Sequence, residues 1–117
     1  MALLLLALAA PAQTAAPGLG RYAARLCVAT SEAAPPNCGP AQVELSAGGT
    51  ARVRVDDIVY RLQPNGNQVD VVLMHNATQI DEFSSAYDWD DGALRFTDAN
   101  KQVRYEVRLG KRLRAAP

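Results

Sequence analysis

The chain has 117 residues, 12 basic and 12 acidic side chains, two cysteines and one histidine, and carries no net charge at pH 7. That length allows one domain around one core. A neutral chain makes no electrostatic case for nucleic acid. No apolar run approaches the ~20 residues of a membrane-spanning helix, so no transmembrane segment is expected.

Residues 1–16 are uncharged and open on a Leu-rich block that runs into Ala10-Pro11-Ala12. A short apolar block ending in a small-x-small site is the pattern that signal peptidase cuts. It predicts a signal peptide over 1–12, although the basic residue usual near the start is missing. Residues 13–20, closing on Pro17-Gly-Leu-Gly20, then form a flexible leader to a single domain over 21–110. The address that follows is export, to the periplasm or the medium. The Ala- and Arg-rich composition fits a bacterium with a GC-rich genome.

Cys27 and Cys38 lie eleven residues apart. In an exported chain an even cysteine count implies a disulfide. A redox pair would have Cys-x-x-Cys spacing. Two cysteines are too few for a zinc site, and His75, the one imidazole, is distant in sequence. The pair is therefore read as a structural disulfide.

Beyond Gly20 the hydrophobic pattern has period two, the mark of strands with one wet face. Tyr22, Ala24, Leu26 and Val28 share one parity, as do Val43 with Leu45, and Val53 with Val55. Through residues 51–62 the apolar parity switches, from odd at Val55 to even at Ile58, Tyr60 and Leu62. One unbroken strand cannot switch faces, so Asp56-Asp57 marks a kink or a turn. Pro64-Asn65-Gly66-Asn67 and Asp91-Gly92 carry hairpin dipeptides; Gly48-Gly49 and Asp98–Lys101 are further turns. Residues 69–75 are apolar on both parities and predict a strand covered on both sides. Residues 102–109 alternate most clearly, with Val103, Tyr105, Val107 and Leu109 inward and Gln102, Arg104, Glu106 and Arg108 outward. Residues 111–117 read as a basic tail. The fold class is all-β: an antiparallel meander of about eight short strands, closed as a small barrel or folded as a sandwich. The inward side chains are large enough to fill such an interior, which argues against a lipocalin-like cavity.

Charge is segregated along the chain. Residues 70–98 hold seven acids against Arg95, and residues 101–114 hold six bases against Glu106. Opposite charges on facing strands account for this pattern.

No catalytic motif stands out. His75 with Ser84 or Ser85 and an aspartate has the composition of a hydrolytic triad, but no Gly-x-Ser-x-Gly elbow accompanies it, and no enzyme is expected. Asp88-Trp-Asp90-Asp91-Gly92 has the flavour of a calcium loop without its spacing, since the twelfth position is Ala99. No metal and no cofactor are assigned. Asn76-Ala-Thr78 matches the glycosylation sequon, which matters only in a eukaryotic host. The candidate contact for a protein or cell-envelope partner is the hairpin segment Tyr87, Asp88, Trp89, Asp90 and Asp91: it holds the one Trp, and Trp anchors dominate interface energies. The function expected is a non-enzymatic binding module. The alternative is a structural accessory of the envelope with no discrete site.

Overall fold

A computed structural model describes residues 17–114. The predicted signal peptide over 1–12 and residues 13–16 of the leader lie outside the described residues. Eight strands follow in order: β1 (Gly20–Ala29), β2 (Asn37–Leu45), β3 (Ala51–Val55), β4 (Ile58–Asn65), β5 (Gln68–His75), β6 (Thr78–Asp90), β7 (Ala93–Asp98) and β8 (Val103–Arg114). Each pairs antiparallel with the next, and β8 pairs back onto β1. That last ladder sets Ala24–Ala29 against Arg104–Leu109 and closes a barrel rather than a sandwich.

Period two decides which side chains enter the barrel. Val43, Val53, Leu62, Val71 and Val107 are almost wholly removed from water, and Tyr22, Leu26, Leu45, Val69, Leu94, Phe96 and Tyr105 complete the lining. The upper half, at the end where β5 meets β6, holds an aromatic cluster. Tyr105 stacks on Phe96 with ring centroids 4.9 Å apart and on Phe83 at 5.9 Å, and meets Tyr60 edge-on at 5.6 Å. Burial pushes the Tyr105 hydroxyl up to about 12, helped by neighbouring Tyr60, Asp98 and Asp81. Burial also raises Tyr60 above its ordinary value. A raised acid favours the folded state while neutral, so this stabilisation is complete below pH ~10, where an unfolded tyrosine ionises, and is lost as pH rises toward about 12. A pH series of thermal melts should show the midpoint falling above pH ~10; a flat midpoint to pH ~12 would contradict the buried placement of these hydroxyls.

The parity switch at residues 51–62 is a hairpin. Val55 pairs with Ile58, leaving Asp56-Asp57 as a two-residue turn with Asp56 at φ 53°. A two-residue connection puts an odd residue opposite an even one, so both parities face the same interior. Asp91 (φ 52°) and Gly92 (φ 76°) take left-handed backbone at the β6–β7 turn, a conformation that Gly, Asn and Asp enter most easily. The β4–β5 turn lies one residue later than the Asn-Gly pair suggests: Asn65 still pairs with Gln68, and Gly66-Asn67 form the turn.

Two expectations need correction. Residues 69–75 are covered on one side only. Val69 and Val71 are buried inside, whereas Val72 and Met74 are half-exposed on the outer wall, beside Arg61 and Glu82, and Val59 and Gln79. A single-layer barrel has no second layer to cover them. Nor does the basic tail begin at Lys111, since β8 continues as strand through Arg114. A strand edge pairs through backbone N–H and C=O, so basic side chains do not prevent it. The register shifts opposite Tyr22–Ala24, where Gly110 passes the Ala23 carbonyl so closely that a Cβ would stand 3.2 Å from its oxygen. Arg112 then donates to the Leu19 carbonyl and lies 6.0 Å from the Tyr22 ring, while the Tyr22 hydroxyl donates to the Gly18 carbonyl at 2.6 Å. The last residues of the leader are thus tied to the lower end of the barrel.

Cys27 and Cys38 stand directly opposite each other on β1 and β2 and are bonded. They lie on the outer parity, below the connection of residues 30–36.

Candidate functional site

The β6–β7 hairpin does not gather its five candidate residues onto one face. Tyr87 and Trp89 take the inner parity, opposite Phe96 and Leu94, and pack half-buried against the core. Asp88 and Asp90 take the outer parity and are exposed, with Asp91 at the exposed turn. Asp90 pairs with Arg95 at 3.1 Å, and Arg95 also donates to Glu106 at 3.0 Å. Both hydrogen bonds raise the Arg95 guanidinium above its ordinary value. What the hairpin shows to solvent is therefore acid, with its aromatic rings turned toward the core.

Neither serine considered for hydrolysis joins His75, which meets an aspartate alone. His75 Nε2 lies 2.7 Å from Asp57 Oδ2, at the exposed end of the barrel. Ser84 donates instead to Asp70 at 2.7 Å. Ser85 is buried, donates to the Ala86 carbonyl and accepts from the Thr97 amide at 2.8 Å. It fills the place where the β6–β7 ladder ends, because direct pairing covers only Tyr87–Asp90. Asn76 lies in the exposed β5–β6 turn at φ 53°. Among the described residues no three His, Cys, Asp or Glu side chains are placed to hold a metal ion. Comparison with protein-family models, with curated proteins and with solved structures finds no match.

The outer wall carries a charge pattern that sequence reasoning missed. Facing out from β1–β4 are Arg21, Arg25, Arg52, Arg54 and Arg61, all exposed, with Glu44 as the one acid on these four strands. Facing out from β5 and β6 are Asp70, Glu82, Asp88 and Asp90, with no base. In a closed order of eight strands, β5 and β6 lie across the barrel from β1 and β2. Arg21 and Glu44 approach to 3.5 Å. Arg25, Arg52, Arg54 and Arg61 make no ion pair or side-chain hydrogen bond among the described residues. Arg52 stands directly opposite Arg61 across the β3–β4 ladder, and Arg25 opposite Arg108 across β1–β8. Like charges so placed destabilise a sheet.

Facing opposite charges account for part of the acid and base runs. Lys101 meets Asp81 at 2.7 Å, which lowers the Asp81 carboxyl and raises the Lys101 ammonium. Yet β8 does not adjoin the acidic β6, because β7 lies between them. The alternation of Tyr22–Val28 and of Val53 with Val55 leaves Arg25, Arg52 and Arg54 on the outward parity. A count along the chain hides the patch because Glu32, Asp56 and Asp57, which offset it in sequence, sit in loops and turns at the end of the barrel.

Proposed function

We propose that this chain is an exported, non-enzymatic binding module that recognises a charged envelope component or protein through the outside of its barrel. The observation that carries the reading is the segregation of charge onto two sides of one small wall, with Arg52 and Arg61, which make no ion pair among the described residues, held side by side at a cost to the sheet. The filled interior leaves recognition to the surface. The Cys27–Cys38 disulfide accords with export, and the acidic hairpin at Asp88, Asp90 and Asp91 offers a second contact for a basic partner.

The test is retention from an envelope extract on immobilised protein, at low and high salt. Two variants are compared with wild type: Arg52→Gln/Arg54→Gln on one side and Asp88→Asn/Asp90→Asn on the other. A component held at low salt, released by high salt and lost in one of the two variants supports the reading. If nothing is retained, or both variants retain the same component as wild type, the reading fails and a structural accessory takes its place.

A further inference from the structure

We infer that the β1–β4 face docks on an anionic lipid surface, an assignment that rests on the binding-module reading and names its ligand class. Across the wall, Arg21, Glu44, Arg52 and Arg61 form one row through successive strand pairings. At the usual strand spacing, the row spans about 14 Å. In the neighbouring row Arg54 stands between Gln42 and Val59. The groove among Arg21, Gln42, Glu44, Arg52, Arg54 and Val59 measures about 330 Å³ and is open along the surface. It does not enclose a small anion. It presents separate guanidinium groups, each suited to forked hydrogen bonds with a phosphate, over an area where many phosphates can lie at once.

Two further features favour a membrane over a soluble polyanion. Leu113 is exposed and lines a depression on this same face with Ala23, Pro40, Gln42 and Arg54, where Asp56 of the adjoining turn is the only acid. An exposed apolar side chain beside Arg54, on the face that also carries Arg21, Arg52 and Arg61, combines the apolar and cationic contacts of a surface that sits at a lipid interface. The acids on β5 and β6 then point away from the bilayer, so the charge pattern selects one orientation of the barrel. The paired arginines Arg52 and Arg61 acquire a reason: the repulsion that weakens the free sheet is relieved when phosphates lie between them.

The test is co-sedimentation of the exported chain, from residue 13 on, with vesicles of phosphatidylcholine alone, or mixed in equal parts with phosphatidylglycerol. Binding is expected to the mixed vesicles only. Arg52→Gln/Arg54→Gln should weaken it by about fivefold for each arginine removed. Lys101→Gln/Arg104→Gln removes equal charge from the β7–β8 turn and the start of β8, off this face, and should bind like wild type. Leu113→Ser should weaken binding without a change in charge. All these sites are exposed, and thermal melting checks that each variant is folded. Absence of binding to the mixed vesicles overturns the lipid assignment, as does equal weakening in the two double variants. Inorganic polyphosphate that competes on equal terms at matched phosphate would move the assignment to a soluble polyanion. If vesicle binding fails while the envelope component is still retained, the binding-module reading stands and only its ligand class is wrong.

Discussion

Tyr105→Ala should unfold this barrel more readily than any surface change, at a cost of about 3–5 kcal/mol. The residue is 9% exposed and its ring lies at the centre of the aromatic cluster, against Phe96, Phe83 and Tyr60. Truncation removes the transfer energy of a large ring and leaves a cavity that three other rings must either collapse into or line. The cluster draws on β4, β6, β7 and β8, so the cost falls on the closure of the barrel rather than on one hairpin. Against a total stability of about 5–15 kcal/mol, this is a large fraction. Arg104→Ala is the matched control. Arg104 is the preceding residue on the same strand, points outward and meets Glu32 only at 3.9 Å, so its loss should cost under about 0.5 kcal/mol. Urea midpoints at constant m-value give both numbers. Equal costs would mean that β8 does not present one face to the core.

Breaking the Cys27–Cys38 bond should be the second large effect, about 3 kcal/mol. The bond closes a loop with a sequence separation of 11 residues, and in the chain-entropy model a loop of that order restricts the unfolded chain by this amount. The bonded residues lie in register at the upper ends of β1 and β2, just where the hairpin connection, residues 30–36, is longest. Without the bond, those strand ends must be held by the ladder alone. For a domain near 100 residues, each kcal/mol moves the melting midpoint by about 4–8 °C. Reduction, or the double change Cys27→Ala/Cys38→Ala, should therefore lower the midpoint by at least ten degrees or so. A midpoint that ignores reductant would show that the bond adds nothing to the fold.

These two effects were legible at different levels. The inward placement of Tyr105 follows from alternation over 103–109 alone, because a strand's side chains leave it no other choice once Val107 and Leu109 are inside. The aromatic cluster was not legible. Phe83, Phe96 and Tyr60 come from strands that sequence cannot place side by side, and their meeting depends on the register of four ladders. The same distinction explains the hairpin at Tyr87–Asp91. Composition put a Trp, a Tyr and three acids together; the pleat then sent the rings inward and the acids outward.

Local chemistry in the chain determined the strands, the positive-φ turns at Asp56 and Asp91-Gly92, the parity of the core and the pairing of the two cysteines. Each depends on residues within one strand, one turn or one loop. Tertiary structure decided the rest. Closure of β8 onto β1 turned the meander into a barrel and made strand of residues read as tail. Closure also collected arginines from three strands on one side and acids from two strands on the other. A side chain's partners around a barrel are set by the hydrogen-bond register between strands, and that register belongs to no single segment of the sequence.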